Sequence, residues 1–232
     1  MASAVPAEDS SSANVNSAVI IRNAERTSPD IFKISLTDGS FFFVRDEYLE
    51  AIPALWKILN AENSNFSQLS LSPENAENLF ICGRIYLAER TALAYLSRSE
   101  HSRRQLELKL RKKNYIPDEI SPALDYLESR ALIDNKRFAE AWIKNRLIHR
   151  NEGRQKLYYG LISRGVPRED AEVVLDQYFS PSDEKDGCLR ETEKLLRRTS
   201  DQLQIKRSLL RKGFSLKTIT QCLEHTRTEN LN

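Results

Sequence analysis

The sequence has little glycine, histidine or cysteine, and these shortages exclude several kinds of functional site. Its seven glycines form no Gly-x-x-x-x-Gly-Lys-Ser/Thr loop to hold nucleotide phosphates and no Gly-x-Ser-x-Gly nucleophile elbow. Cys82, Cys188 and Cys222 are odd in number, far apart and in no Cys-x-x-Cys spacing. This pattern argues against a disulfide framework and a zinc site, and it predicts three small core residues.

The remaining titratable residues give no catalytic arrangement. His101, His149 and His225 are isolated from one another and from cysteine, so we expect them on the surface or packed into loops. Asp134 and Ser102 each stand directly before a predicted helix, where a side-chain oxygen caps the first backbone N–H groups. The sequence therefore predicts a protein that is not an enzyme and that has no metal and no cofactor.

Long apolar runs are also missing. The longest, such as Phe41 to Val44, fall far short of the roughly 20 residues that cross a bilayer, so no membrane span is predicted. Residues 1–17 lack the basic and apolar regions of a secretory signal, which predicts a disordered polar tail and a cytoplasmic protein.

Charge is distributed unevenly along the chain. Residues 1–86 carry six Lys/Arg against eleven Asp/Glu, a balance of −5, whereas the remainder carries 29 against 22, a balance of +7. This asymmetry predicts two regions with different roles, of which the second is attracted to a polyanion or an acidic protein surface.

The acidic region begins with β-forming residues. Two such runs flank Asp38-Gly39, and this dipeptide between strands is a strong hairpin signal because a type I′ turn needs positive φ at both central residues. We expect two or three antiparallel strands between residues 18 and 45. A helix from Asp46, kinked or interrupted at Pro53, and a polar loop complete the predicted region 18–72.

After Pro73 the helical period replaces the β pattern, and three segments superimpose without a gap. They begin at Leu106, Leu157 and Ile205. The matching positions are Leu96, Leu147, Leu195; Leu106, Leu157, Ile205; Leu110, Leu161, Leu209; Asn114, Gly165, Gly213; Tyr115, Val166, Phe214; Ile120, Ala171, Ile219; and Leu124, Leu175, Leu223.

These positions have a physical interpretation as a three-helix unit. Apolar residues four apart share one helix face, and the Asn/Gly position suits a left-handed residue that ends the helix in a Schellman motif. The predicted fold is mainly α, with tandem three-helix repeats forming an elongated curved body and a small N-terminal β-hairpin region. The repeats are predicted at 73–133, 134–180 and 181–232, with a longer, flexible connection from Ser180 to Gly187.

Basic residues recur near the middle helix of each unit and in the helix that follows Asp134. Each one alone is equally well explained as part of a solvated face, but their recurrence predicts a stripe that binds a polyanion or an acidic groove. The candidates are Arg103, Arg104, Lys109, Lys112, Lys113, Lys144, Arg146, Arg150, Arg154, Lys156, Arg164, Lys206, Arg207, Arg211 and Lys212.

Four stretches in this order and spacing resemble the RecX-type regulators of the recombinase RecA. The stretches are "SRRQLELKL" from Ser102, "LIDNKRFAEAWIKNR" from Leu132, "GRQKLYYGLISRGV" from Gly153 and "LLRKGFSLKTITQCL" from Leu209. Two positions depart from the family's usual pattern, since Asn114 stands where Gly is usual and Trp142 where Tyr is common. Asn also accepts the left-handed conformation.

The resemblance implies a non-enzymatic modulator, an inhibitor, that lodges in the helical groove of the RecA filament on single-stranded DNA. It would restrain ATPase and strand exchange in homologous recombination, DNA repair and the SOS response, and it would be a monomer. In this interpretation Phe138, Trp142 and Ile143 pack their helix into the repeat, while Lys144 and Arg146 face the filament or its DNA.

Two other functions stay open from the sequence. One is a helix-turn-helix-like protein that binds DNA directly, although "PDEISP" and "PREDAE" place acidic residues where a recognition helix would read bases. The other is a helical scaffold for another protein.

Overall fold

The computed structural model describes residues 19–60 and 69–229. The predicted tail at 1–17 and part of the polar loop, 61–68, lie outside the described residues. The chain divides into two compact units between Leu87 and Ala88, inside one long helix.

The first unit contains a four-stranded antiparallel sheet. Its order is β3-β2-β1-β4, with strands β1 (Ile20–Ser28), β2 (Ile31–Leu36), β3 (Phe41–Arg45) and β4 (Leu69–Ser70). The first three strands confirm the prediction for residues 18–45. Strand β4 was not predicted, because a pair of residues inside a polar stretch gives too short a pattern to show alternation.

The β2–β3 turn lies at Asp38-Gly39, but the predicted type I′ geometry is wrong. Gly39 has a φ of +88°, while Asp38 is not in the left-handed region. The Leu36 N–H donates to the Ser40 carbonyl at 2.8 Å, and the Gly39 N–H donates to the Leu36 carbonyl at 3.2 Å. This is a three-residue loop, in which only the glycine needs positive φ.

Pro53 interrupts the helical segment that follows the sheet, as predicted. A 3₁₀ helix covers Asp46–Ala51, and α1 (Pro53–Leu59) begins with the proline in its first turn. Proline suits this position because its missing N–H would have no partner there in any helix.

Helix α2 (Pro73–Leu96) covers the β3 edge of the sheet. The Phe42 ring lies 5.6 Å from the Phe80 ring, and its Cδ2 lies 2.7 Å from where a Cβ on Gly83 would be. The Phe43 ring, which points to the opposite face, lies 6.3 Å from Tyr86. The helix thus shields a strand edge that would otherwise be open to pairing.

From Pro73 onward the described residues form helices and no strand, which confirms the mainly helical fold with three successive triplets. The first triplet is α2, α3 (Arg103–Arg111) and α4 (Pro117–Ser129); the second is α5 (Asn135–His149), α6 (Arg154–Ile162) and α7 (Arg168–Tyr178); the third is α8 (Pro181–Leu196), α9 (Gln202–Arg211) and α10 (Leu216–Glu229). The exact domain boundaries stay predictions.

The flexible connection expected at Ser180–Gly187 is wrong, because this stretch begins α8. The Ser180 hydroxyl oxygen accepts from the Asp183 N–H at 3.2 Å, and the Asp183 carboxylate accepts from the Ser180 N–H at 2.8 Å. This reciprocal cap, with Asp183 and Glu184 at the positive helix end, favours a helix over a loop.

Each middle helix ends as the sequence predicts. Asn114, Gly165 and Gly213 have φ of +63°, +82° and +82°. In the second repeat the Val166 N–H donates to the Leu161 carbonyl at 3.2 Å, and the Gly165 N–H donates to the Ile162 carbonyl at 2.9 Å. These two bonds define a Schellman motif, and the equivalent bonds are present in the other two repeats.

The matching apolar positions form the repeat cores. Leu110, Leu161 and Leu209 are all fully buried. The three cysteines are buried and free, as predicted, and burial raises the pKa of Cys82 to about 11 and that of Cys188 to about 12. The thiols therefore stay protonated at neutral pH and act as small apolar side chains.

We expect Leu161→Ala to lower the free energy of unfolding by about 2–5 kcal/mol, because it removes buried methyl groups and leaves a cavity. Leu161 is 0% exposed and belongs to the core of the second repeat. Urea unfolding followed by circular dichroism measures the change. An unaltered midpoint would show that the second repeat is not packed around this position.

Substitution of Ala131 by glycine is expected to stabilise the protein, in contrast to the substitution of Leu161. It has a φ of +53° at the end of α4, where its N–H donates to the Glu128 carbonyl at 2.9 Å. The left-handed conformation costs a non-glycine residue roughly 1–2 kcal/mol, so Ala131→Gly should stabilise the protein by about 0.5–1 kcal/mol after the added chain entropy. Ala123→Gly, inside α4, is the control and should destabilise by about 1 kcal/mol. Equal signs for the two substitutions in urea unfolding would contradict the assigned geometry.

Candidate functional site

The middle helices of the three repeats meet end to end. The Ser102 hydroxyl donates to the Arg164 carbonyl at 2.5 Å, so the N-terminus of α3 meets the C-terminus of α6. The Gly153 N–H donates to the Lys212 carbonyl at 2.9 Å, so the N-terminus of α6 meets the C-terminus of α9. At each junction the positive end of one helix faces the negative end of the next, an arrangement that helix dipoles favour.

The junctions explain the glycines at the helix ends beyond their positive φ. A Cβ on Gly165 would lie 2.4 Å from the Arg104 Cβ, and one on Gly213 would lie 2.4 Å from the Lys156 backbone nitrogen. Asn114 is at the end of the first middle helix, and this helix end takes part in neither of the two junctions. A Cβ is therefore tolerated there, and this accounts for the departure from glycine.

Six of the predicted basic candidates are bound in ion pairs within the protein. Arg103 contacts Asp125 at 2.6 Å and Glu128 at 2.7 Å. The other pairs are Lys144 with Glu140, Arg146 with Glu152, Arg154 with Asp176, Lys156 with Glu152 and Lys212 with Glu191.

In two of these ion pairs the contacts shift pKa values in the direction that favours the charged side chains. Burial opposes the charge of Arg103, but the bonds and attraction from Asp125 and Glu128 outweigh it and raise its pKa. A hydrogen bond to Glu140 raises the pKa of Lys144, and the same bond lowers the pKa of Glu140. An external anion would have to compete with these carboxylates for the cations.

Two further guanidinium contacts involve Trp142. Arg146 and Arg164 lie over its ring, 4.9 Å and 4.7 Å from the centroid. The Trp142 Cη2 lies 2.5 Å from where a Cβ on Gly160 would be, so the indole packs directly onto the α6 backbone. Burial, and secondarily the charge of Arg146, lowers the pKa of Arg164. The two arginines thus help to hold α5 against α6.

Buried acids at the repeat junctions were not predicted from the sequence. Glu152 is 8% exposed and contacts Lys156 at 3.1 Å, while Glu191 is 4% exposed and contacts Lys212 at 2.9 Å. A buried carboxylate requires a partner of opposite charge, so these acids fix their lysines in place. The only signal in the sequence was the position of Glu152 directly before the Gly153 cap.

Seven candidates are exposed and make no ion pair with any residue in the described part of the chain. Arg211 donates to the Ser208 hydroxyl at 3.2 Å, and the side chain of Arg104 packs over Gly165. These unpaired cations are Arg104, Lys112, Lys113, Arg150, Lys206, Arg207 and Arg211. They lie mainly on α3, just after it, and on α9, whereas α6 presents the exposed Tyr159.

Asp134 and His101 take the structural roles that the sequence predicts, and one more basic candidate, Lys109, lies against an aromatic ring. The Asp134 carboxylate accepts from the Lys136 and Arg137 N–H groups at 2.8 Å and 3.1 Å, which confirms its role as a helix cap. His101 lies in a loop with Nδ1 2.8 Å from the Ser99 carbonyl, and Lys109 lies over the Tyr95 ring at 4.5 Å.

Within residues 19–60 and 69–229, no group of three or more His, Cys, Asp or Glu residues is placed to hold a metal ion. No helix in those ranges is both long enough and apolar enough to span a membrane.

Because of the junctions, we expect substitutions at the equivalent positions 165 and 114 to differ in their effect on the free energy of unfolding. Gly165→Asn keeps a residue type that tolerates positive φ but adds a Cβ beside Arg104, so it should lower the free energy of unfolding by about 1–3 kcal/mol. The control, Asn114→Gly, should change it by no more than about 0.5 kcal/mol. Urea unfolding compares the two, and equal stability of both variants would refute the close contact at the junction.

Family models match two stretches of the chain. The first, described as RecX, first three-helix domain, covers residues 88–127, and the second, described as RecX, second three-helix domain, covers residues 134–175. The first stretch contains the end of α2, all of α3 and most of α4, and the second contains most of α7 after α5 and α6.

Similar proteins and structures agree with these matches. Regulatory protein RecX of Treponema pallidum (strain Nichols) is 39% identical over 144 residues, which cover 62% of this chain and 87% of that protein. Its counterpart in Clostridium acetobutylicum is 26% identical over 152 residues, covering 62% of this chain and 70% of that protein.

Two solved structures have similar folds. A crystal structure of regulatory protein RecX has a TM-score of 0.68 at 19% identity and covers 89% of this chain and 99% of that one. The structure of RecX from Lactobacillus salivarius has a TM-score of 0.55 at 29% identity and covers 61% of this chain and 96% of that one. Together with the identity to the Treponema protein and the two family-model matches, they show that the chain belongs to the RecX family of regulatory proteins.

Proposed function

We propose that this protein is a non-enzymatic inhibitor of the recombinase RecA, and that it lodges in the helical groove of the RecA filament on single-stranded DNA. It restrains ATP hydrolysis and strand exchange there. Family membership supports the regulatory role, because the similar proteins are named regulatory proteins. A cytoplasmic location and a monomeric state belong to the same proposal.

The observation that carries the proposal is the placement of the unpaired cations on the stacked middle helices. Lys112 and Lys113 follow α3, whereas Lys206 and Arg207 lie on α9. Between these groups lie α3 and α6, each of nine residues and therefore about 14 Å long. Cations distributed over such a distance suit an extended anionic partner better than a small ligand.

Unpaired cations also bind an external anion at the lowest cost in free energy. A lysine or arginine that already faces a carboxylate must lose that partner before it binds another anion. Arg146, which the resemblance implied as a contact, pairs with the buried Glu152 and stacks on Trp142. We therefore assign the contact from this part of the second repeat to Arg150, which is exposed.

Direct binding to DNA is the second candidate function, and the same unpaired cations favour it. The acidic first turns of α4 and α7, with Asp118 and Glu119 in one and Glu169 and Asp170 in the other, oppose the approach of bases. Any direct contact with DNA would therefore be with phosphates and largely independent of sequence.

A combined charge reversal tests the proposal. Lys112, Lys113, Lys206 and Arg207 are changed to Glu, and the concentration that half-suppresses RecA ATP turnover on single-stranded DNA is measured. Each exposed charge is worth about 0–1 kcal/mol alone, so a single substitution should raise the half-suppressing concentration by less than about fivefold. The variant with all four substitutions should raise it by more than about tenfold. Added salt should weaken suppression by the wild type more than by the variant.

The matched control changes Arg168, Lys185, Lys194 and Arg198 to Glu, which alters the net charge equally at exposed positions off the middle helices. It should suppress ATP turnover nearly as well as the wild type. Equal loss in both variants would assign the effect to net charge alone. Full suppression by the folded test variant would favour the scaffold function, and binding to bare DNA without any effect on RecA would favour the second candidate.

A further inference from the structure

A groove of about 730 Å³ lies between the second and third repeats. Tyr158 and Tyr159 on α6 form one wall, and Leu210 and Leu216 from the third repeat form the other. Tyr159, Leu210 and Leu216 are 61%, 40% and 57% exposed, so three large side chains present apolar surface to water in one concavity. A concave cluster of this kind is typical of a binding site rather than of an ordinary solvated surface.

The charges of the groove have the opposite sign to those of the helical region around it. Its lining carries Glu172, Asp176 and Glu184 against a single cation, Arg154, which is bound to Asp176. The Glu184 carboxylate accepts from the Ser215 N–H at 3.1 Å, while Glu172 is exposed and makes no ion pair within the described residues. The lining thus has a net formal charge of −2 in a region whose total is +7.

We infer that this groove binds a protein segment of the filament, one that carries an apolar side chain next to Lys or Arg. The inference rests on the proposed function and names which component of the filament the groove contacts. Phosphates would be repelled by the three carboxylates, which excludes the DNA as the occupant. An apolar side chain flanked by cations gains contact with Tyr159 and Leu216 and attraction to Glu172.

The groove and the unpaired cations therefore have different partners. The cations on α3 and α9 face negative charge, whereas the groove takes a positively charged apolar segment. A protein with both surfaces requires a target that carries negative charge and a positively charged apolar segment together. This requirement discriminates a filament of protein on DNA from the protein or the DNA alone.

Site-specific photo-crosslinking identifies the occupant. Tyr159→p-benzoylphenylalanine places a photoreactive ring in the groove, and the same replacement at Leu203, on α9 outside the groove lining, is the control. RecA filaments on single-stranded DNA are the probe. We expect position 159 to crosslink to a RecA peptide that contains Lys or Arg, and position 203 to give much less of that product.

A crosslink from position 159 to DNA, to a second copy of this chain, or to nothing would overturn the inference, provided that the unsubstituted protein cosediments with the filaments. If the unsubstituted protein does not cosediment, the proposed function itself fails. The two failures are therefore distinguishable.

Substitutions give an independent measurement. Leu216 and Leu203 are both 57% exposed, but only Leu216 lines the groove. Leu216→Ser should weaken filament binding by about tenfold or more and leave any binding to bare single-stranded DNA unchanged, whereas Leu203→Ser should change neither. Equal effects of the two substitutions would contradict the groove, and an unchanged thermal midpoint shows that each variant is folded.

Discussion

The arrangement of the helical region depends on one close contact, made twice, between the end of a middle helix and the start of another. At this contact the chain must adopt a positive φ and must also lack a Cβ, because a neighbouring helix occupies the space. Gly165 and Gly213 meet both requirements, facing Arg104 and Lys156. The backbone groups at these ends then find partners across the junction, as the Gly153 N–H does at 2.9 Å from the Lys212 carbonyl.

The junctions also hold two of the predicted cations. Glu152 and Glu191 are buried acids that need charge neutralisation, and they pair with Lys156 and Lys212. Other cations, such as Lys113 and Arg207, make no such pair within the described residues. The stripe expected from the sequence is therefore divided into two basic groups, and between them α6 exposes Tyr159 beside an acidic groove.

The sequence predicted the repeats well because their signals are local. Leu157, Leu161 and Gly165 lie within α6 and its terminus, so spacing alone identifies them. It failed where a contact depends on how the chain packs outside the helical period. Glu152 pairs with Arg146 from the connection between α5 and α6, and Arg164, just after α6, stacks on Trp142 of α5. Helical spacing indicates neither contact. Strand β4 was missed because its two residues, Leu69–Ser70, pair only through β1.

Hydrogen exchange at the Gly153 amide tests the end-to-end stacking most directly. The first N–H groups of a helix ordinarily have no partner in the helix, so they exchange quickly with solvent. Because this amide donates to the Lys212 carbonyl, it should exchange slowly, at a rate close to that of the buried Leu157 amide on the same helix. Rapid exchange at Gly153 while Leu157 stays protected would contradict the stacking of α6 on α9.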